Sequence, residues 1–488
     1  MLIALFSIMK KESSYQHIFK YTGLFGGVQG LNILIGIVRN KIIALLLGPI
    51  GVGFISIYNT ASVFLQNSTN FGLQMSGVRD VSRAFDSGNA DALQEKIRIL
   101  RLWSLIVGGI GFVATAMLCR ALSEWAFSSG EYTIEFLLLA PIVAMAAIAG
   151  GETAILKATR RLKQLAQISV LGVVGSLIVS VPLYMKWGND GIIPSLILIG
   201  IVQLLLAVVY SYRIYPLKLR FSKNDILEGR GMINVGIAFM LAGILNSGAD
   251  FFVRTYLGDI SMSLAGFYNV GYMITVSYAG IVFAAMETDY FPHLSGVSND
   301  TRKMNGAVKR QIEVSTIMIS PLLVMLMISL PILIPLLFSK QFIPVIGMTQ
   351  LAIIAIQFRT LNLPVSYIML AKGDSRSFLF NEFIYDILLI VTIILGYNNW
   401  GLDGTGLALA VTGFVYAVYL ISYCSYKYDL ELSGGTIRKF LVYLSFCLST
   451  LFIVMFTTGV LYWTIGILMI LLSSLYSYRN YRLHNGNG

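Results

Sequence analysis

Three arginines lie within or at the edge of long apolar stretches, where a charged side chain is costly and marks a candidate functional site. Arg39 follows Asn32 by seven residues, which places both on one face of a helix. Arg254 follows Asp250 by four residues, and Arg359 lies near the middle of an apolar stretch that contains no acidic residue. A guanidinium presents a planar fork of donors that grips phosphate bidentately. These residues therefore predict an anion-binding site inside a membrane.

Polar side chains near these cations complete the predicted substrate-binding set. Its members are Arg39, Lys41, Arg254, Arg359, Asn32, Gln66, Asn70 and Asn246. Three alternatives stay open: Lys41 can reach the outer interface instead, Asp250 and Arg254 can neutralise each other as an i, i+4 ion pair, and Arg359 can pair with a buried acid such as Asp386.

Five acidic residues in or near apolar stretches form a second candidate group, predicted to act in gating or ion coupling. They are Asp250, Glu287, Asp289, Glu382 and Asp386. Such acids can bind a coupling cation, H⁺ or Na⁺, or can hold Arg and Lys in one gate state, and the sequence leaves both readings open. No spacing resembles a nucleophile with its base, a zinc cluster or a phosphate-binding loop. We therefore expect no enzyme, no catalytic residue, no metal and no cofactor.

The composition identifies the elements that must position these side chains. Of 488 residues, 56% are hydrophobic and 12% are charged, and the mean hydropathy is +0.76. Since a membrane span needs roughly 20 mostly apolar residues, the chain predicts fourteen spans. They lie near 20–47, 51–75, 102–119, 134–156, 165–185, 191–212, 232–252, 264–291, 312–338, 346–371, 378–396, 404–424, 440–460 and 463–478.

Two patterns indicate an internal duplication. Leu47-Gly48 with Tyr58-Asn59 recurs as Leu257-Gly258 with Tyr268-Asn269, and W-G-x-D-G at Trp187 recurs at Trp400. Because six is an even number of spans, both halves enter from the same side. The prediction is an all-α polytopic membrane protein with 14 transmembrane helices. It has two six-helix lobes, 1–222 and 223–430, related by a pseudo-two-fold axis along the membrane normal, plus two C-terminal helices and a tail in 431–488.

The distribution of basic residues predicts the orientation. Only six of the 35 Lys and Arg residues fall on the outer side, namely Arg39, Lys41, Arg120, Lys186, Arg254 and Lys340, and Arg359 lies inside a span. This positive-inside bias places both termini and the connection 76–101, predicted as a loop, in the cytoplasm. The net charge of +11 thus reflects the predicted orientation of the chain in the membrane and indicates no nucleic-acid partner. The opening MLIALFSIM precedes its lysines, which is the wrong order for a secretory signal.

Several motifs in order resemble the bacterial O-antigen and polysaccharide translocases, the Wzx-type flippases of the multidrug/oligosaccharidyl-lipid/polysaccharide exporter superfamily. They are K-I-I-A-x-x-x-G-P-x-G-x-G from Lys41, F-P-H-L-S from Phe291, S-K-x-F from Ser339 and Y-x-M-L-A-K from Tyr367. Arg39 with Ala44 and Gly48 is also similar to a pattern of the related lipid II flippases. The extra pair of spans is more like that lipid II branch, but the arginine that the branch carries early in span eight is absent near Tyr268.

The resemblance implies a flippase that moves undecaprenyl-diphosphate-linked oligosaccharide from the inner to the outer leaflet of the bacterial cytoplasmic membrane by alternating access. The glycan would be an O-antigen, capsule or exopolysaccharide repeat unit, with membrane lipids as further partners. A polysaccharide polymerase and other assembly proteins stay open as partners. The alternatives are a drug/cation antiporter of the same superfamily and a membrane glycan polymerase or transferase. The first would need a cavity dominated by acids, and the second a sizeable outer loop.

Overall fold

The computed structural model describes residues 13–216 and 223–486, so the opening apolar stretch and its lysines lie outside the described residues. The described chain is helical and contains no strand. Its helices in the first half are α1 Ser13–Thr69, α2 Leu73–Asp86, α3 Ala90–Phe127, α4 Thr133–Leu137, α5 Ala140–Ala158, α6 Leu162–Trp187 and α7 Ile192–Tyr212. Those that follow are α8 Lys223–Ile260, α9 Met262–Tyr272, α10 Ala279–Val297, α11 Thr301–Leu337, α12 Val345–Ala371, α13 Ser375–Tyr428, α14 Gly434–Phe456 and α15 Gly459–Gly486.

The number of spans agrees with the prediction. Nine helical segments among the described residues are long and apolar enough to cross a membrane. Three of these segments, of 40, 51 and 54 residues, are long enough for two spans each and contain a break in the helix, at Gly48, at Gly188–Gly191 and at Trp400–Gly401 respectively. Together with α8 and the pair α9 and α10, which a π-helical segment joins, they make fourteen spans. The predicted all-α polytopic fold is therefore confirmed.

The lipid-facing side of one helix is clear from its exposed residues. Large apolar side chains of α13 that are about half exposed recur every three or four residues, at Phe380, Phe383, Ile387, Val391 and Leu395. This spacing makes a single stripe along the helix. Such a stripe in water would be costly, and in a bilayer it contacts acyl chains.

The chain divides into two compact units. One consists of Tyr58–Ile244 with the chain up to Leu47, and the other of Leu245–Gly488 with Gly48–Ile57. In the first unit, α5 packs on both α3 and α7, and α2 packs on α3 and α5. In the second unit, α12 packs most closely on α13, and α11 packs on α12 and on the added pair α14 and α15.

Two predicted boundaries are wrong. Span two was expected to continue to residue 75, but the chain leaves the helix at Asn70, and both Phe71 and Gly72 have a positive φ. A side chain at Gly72 would not fit, because an added Cβ would lie 2.1 Å from the Gly236 carbonyl oxygen. The connection 76–101, predicted as a loop, is helical: α2 is amphipathic and buries Leu73 and Val81 on its inner face.

A polar cluster at the predicted cytoplasmic end connects the first and last residues of α13. Asp374 caps the helix by accepting from the Ser377 amide at 3.0 Å. The same carboxylate pairs with Lys427 at 2.8 Å and accepts from the Tyr428 hydroxyl at 2.9 Å. These contacts, above all the one with Lys427, hold the pKa of Asp374 below its usual range. The cap therefore joins the beginning of the hairpin to its end.

Replacing Asp374 with alanine is expected to lower the free energy of unfolding by about 1–2 kcal/mol, through loss of the cap and of a partly exposed ion pair. Because the folded-state pKa is lowered, the contribution is complete above about pH 4 and disappears as the pH falls through the folded-state value. Thermal unfolding in detergent between pH 3 and pH 7 measures the loss of stability and the beginning of its decline below about pH 4. Asp300→Ala, which removes an exposed cap with a pair only inside its own helix, is the control and should cost less. Equal losses for both variants would contradict the bridging role of Asp374.

Candidate charged site within the apolar helices

The second unit buries a charged pair on α8. The Arg254 guanidinium lies 3.0 Å from an Asp250 carboxylate oxygen and also donates to the Asp250 carbonyl at 3.1 Å. The arginine side chain is 5% exposed and the aspartate 27%. Two tyrosine rings of α9 lie beside the guanidinium, with centroids at 5.7 Å for Tyr268 and 4.9 Å for Tyr272. Of the alternatives open from the sequence, the i, i+4 ion pair is the one that the structure forms.

Arg359 on α12 is placed differently. Its guanidinium carbon lies 5.2 Å from the centroid of the Phe283 ring on α10, and the side chain is half-buried. No carboxylate among the described residues lies within ion-pair distance of it, so the alternative left open from the sequence, a pairing with Asp386, is not formed. Contact with an aromatic face stabilises the cation but uses none of its N–H donors. Within the described part of the chain, the fork of donors therefore remains available to an anion.

Two acids of α13 lie one turn apart. Asp386 is 4% exposed, and neither of its carboxylate oxygens has a hydrogen-bond partner among the described residues. Glu382 is partly buried on the same helix face. A buried carboxylate without a partner is costly unless a proton or a cation neutralises it. Asp386 thus has the chemistry of an ion-binding group.

These groups belong to one electrostatic neighbourhood. Asp386 interacts with Glu382 and Asp250, and Tyr385 interacts with Arg359 as well as with these acids. The helices that carry them, α8, α9, α12 and α13, share one apolar core. Its buried members include Val253, Leu257, Tyr268, Met348, Ala352, Leu389 and Ile393. The core fixes the backbones, so the structure brings together five predicted residues, Asp250, Arg254, Arg359, Glu382 and Asp386.

In the first unit the predicted polar face of span one points toward α6. The Asn32 amide donates to the Ser169 hydroxyl at 2.6 Å, whereas the Asn32 amide oxygen is buried without a described partner. The Arg39 guanidinium lies close to the Tyr184 hydroxyl, which hydrogen-bonds Ser195 at 2.7 Å. The Nε atom of Arg39 is also buried without a described partner. Both side chains therefore keep unused hydrogen-bonding atoms.

The end of span two uses one predicted residue in a turn. The Asn70 side-chain oxygen accepts from the Gly72 amide at 2.7 Å. Its neighbour Asn67 donates to the Gly243 carbonyl at 3.2 Å, and Gln66 is partly buried one residue earlier. On α8, Asn246 is exposed, and Lys41 on α1 is partly buried. The side chains of Glu287 and Asp289 lie outside the described part of the structure.

Sequence reasoning missed the aromatic partners and a second buried ion pair. Tyr268 stood out only as a marker of the duplication, yet it lies beside Arg254. Arg101, counted as one cation of a cytoplasmic connection, forms an ion pair with Glu152 at 2.9 Å, with exposed fractions of 5% and 3%. An acid at position 152, near the end of an apolar stretch, was the available signal. Among the described residues, no group of three or more His, Cys, Asp or Glu side chains is arranged for a metal.

Comparison with protein-family models gives one match. Residues 42–347 match the model described as "Polysaccharide biosynthesis protein", which is more than half of the chain. A search of curated proteins found no match.

Solved structures of similar fold are membrane transporters. An inward-facing multidrug resistance MATE family transporter of the MOP superfamily has a TM-score of 0.68 at 14% identity, covering 82% of this chain and 94% of its own. The lipid II flippase MurJ in an inward closed conformation has a TM-score of 0.67 at 16% identity, covering 94% and 99%. An outward-facing MATE family transporter has a TM-score of 0.60 at 13% identity, covering 82% and 93%. The fold is therefore the two-lobed fold of these proteins.

Proposed function

The chain belongs to the polysaccharide biosynthesis protein family, and on this premise we propose that it is a flippase for a lipid-linked oligosaccharide. The cargo is an undecaprenyl-diphosphate-linked repeat unit of O-antigen, capsule or exopolysaccharide. It moves from the inner to the outer leaflet of the bacterial cytoplasmic membrane, with both chain termini on the cytoplasmic side.

The observation that carries this proposal is Arg359. A diphosphate and several sugars do not cross hydrocarbon unaided, because each buried polar group without a partner costs several kcal/mol, on the order of 2–7. Arg359 supplies a half-buried cation whose donors no described carboxylate occupies. It is the group of the second unit best suited to a diphosphate, while Arg254 is engaged by Asp250. Arg39, Lys41 and the polar residues Asn32, Gln66, Asn70 and Asn246 serve phosphate and sugars in this proposal.

The acids give the site its coupling role in this proposal. Asp386 and Glu382 accept a proton or Na⁺. Asp250 keeps or breaks its ion pair with Arg254, depending on whether these neighbouring acids are charged or neutralised. Glu287 and Asp289 act as gate residues. Binding of cargo or ion to one conformation shifts the population between inward- and outward-open states. The lobes 1–222 and 223–430 rock against each other, and 431–488 adds a surface for the lipid tail.

A second candidate, a drug/cation antiporter, is favoured by one observation: the buried carboxylate of Asp386, which lacks a described partner and suits a cationic substrate. A glycan polymerase or transferase has no comparable support. The two transporters differ in the charge of the ligand that the purified protein should bind.

A binding measurement separates them. The purified protein in detergent is titrated with an undecaprenyl-diphosphate oligosaccharide and with a cationic dye, and tryptophan fluorescence follows each titration. We expect the lipid-linked glycan to bind more tightly than the dye, with an affinity that falls with salt, because the contacts to diphosphate are ionic. Tighter binding of the dye would refute the flippase proposal and favour the antiporter.

A further inference from the structure

A cavity of about 410 Å³ lies between the end of α10 and the beginning of α11, away from the charged site described above. Its lining residues are His293, Gly306, Ala307, Lys309, Arg310 and Glu313. This space is sufficient for a phosphate with a small polar substituent.

The charge balance of the cavity is positive. Both oxygens of the buried Glu313 are engaged by α14, one by the Thr436 hydroxyl at 2.8 Å and the other by the Lys439 ammonium at 2.8 Å. The single acid of the lining is thereby neutralised. Lys309 and Arg310 are exposed, and neither forms an ion pair with a described carboxylate. The cavity therefore presents two positive charges that no carboxylate among the described residues contacts as an ion pair.

The predicted topology places the cavity near the depth of lipid headgroups, because span eight is predicted to end at Phe291 on the cytoplasmic side. Phe291 is 38% exposed, two residues before His293, and its ring packs on Tyr367 at 5.7 Å. The neighbouring Tyr290 is buried and donates to the Pro364 carbonyl at 2.8 Å, which fixes this part of α10. Exposed aromatic rings beside basic side chains are typical of the membrane–water interface. The F-P-H-L-S motif, at the predicted end of span eight, is thus expected at the level of phosphate groups in the cytoplasmic leaflet.

We propose that this cavity binds the phosphate of a lipid headgroup, held by Lys309 and Arg310 with His293 at the rim. Arg310 can form paired hydrogen bonds to two phosphate oxygens, and Lys309 adds a point charge. The aromatic rim contacts the glycerol and the upper acyl chain. Two lipids carry this chemistry in the inner leaflet, an anionic phospholipid and a polyprenyl diphosphate.

The test uses the full-length protein in neutral-detergent micelles and measures its affinity for fluorescent phosphatidylglycerol, with phosphatidylcholine as the reference lipid. In the Lys309→Gln/Arg310→Gln double variant, the affinity for phosphatidylglycerol should fall about 30-fold, because each surface basic residue contributes about a factor of five. Both side chains are exposed, so the variant should fold normally. Arg376→Gln removes one exposed charge at the same predicted membrane face, outside the cavity, and should bind as the native protein does rather than lose the factor of five expected for one residue of the site.

Two further probes identify the source of the phosphate. Undecaprenyl diphosphate and inorganic phosphate are titrated against the native protein and the double variant. Loss of affinity for either lipid in the double variant alone supports the site and names its lipid. If the double variant binds both lipids as the native protein does, or if inorganic phosphate competes as well as the lipids at equal concentration, the proposal is overturned. None of these outcomes depends on whether the protein moves a glycan.

Discussion

Replacing Arg359 with glutamine is expected to lower outward movement of the lipid-linked glycan about 10- to 100-fold, while the protein remains folded. A lost hydrogen bond to a charged group costs about 1.5–3 kcal/mol, which corresponds to this range. The folded state loses only the contact with Phe283, worth about 0.5–1 kcal/mol. Transport and unfolding therefore respond very differently to this substitution.

Two further variants test whether the loss of transport is specific to the guanidinium of Arg359. Arg359→Lys keeps the charge but loses the planar fork, so its transport rate should lie between those of the native protein and the glutamine variant. Arg376→Gln removes an exposed arginine at the beginning of α13 and should transport normally. The measurement is leaflet-resolved accessibility of the glycan in vesicles, at matched protein levels. Native rates for Arg359→Gln would remove this residue from the site.

The largest effect on stability is expected from the buried pair of the first unit. Arg101 binds both oxygens of Glu152, and it also donates to the Tyr215 carbonyl at 2.8 Å. Its guanidinium lies 4.3 Å from the Tyr212 ring centroid. Changing Arg101 to methionine leaves the Glu152 charge buried without its partner. The free energy of unfolding should fall by about 3–5 kcal/mol.

A double variant tests whether the unpaired charge is the cause. Arg101→Met combined with Glu152→Leu removes both charges and should recover most of the lost stability, because apolar replacements of a buried pair are often neutral. Denaturant unfolding in detergent micelles, or the yield of monodisperse protein after heating, reports the difference. A double variant as unstable as the single one would show that the bonds to Tyr215, and not the ion pair, carry the effect.

The outline of the fold could be predicted because the bilayer allows few structures. Apolar stretches of sufficient length must become helices, and the repeated W-G-x-D-G motif marked equivalent turns. Gly188 and Gly401 adopt similar backbone angles, with φ of 54° and 59°, in a region that favours glycine. The Leu-Gly repeat is less regular than the W-G-x-D-G repeat. Gly48 has a φ of 62° and breaks α1, whereas in the second half the break falls on Ser261, three residues after the matching glycine.

The site could be predicted only in part. The Asp250–Arg254 pair lies within one helix, so its spacing was visible in the sequence. Contacts between distant segments left no such signal: Arg359 lies on Phe283, 76 positions earlier, and Arg101 pairs with Glu152, 51 positions later. Helical phase indicated which residues share a face, but not which neighbouring helix that face meets. Span one shows this, since the face of Asn32 meets Ser169 of α6.

The most direct test of the flippase proposal is transport by the purified protein in sealed vesicles. A lectin-detectable undecaprenyl-diphosphate glycan is placed in one leaflet, and its appearance in the other is followed with and without the protein, with a cationic dye tested in parallel. We predict that the glycan crosses only when the protein is present, and that the dye is not expelled. A glycan that stays in its leaflet while the dye is expelled would contradict the flippase function and leave a cation transporter with the same fold.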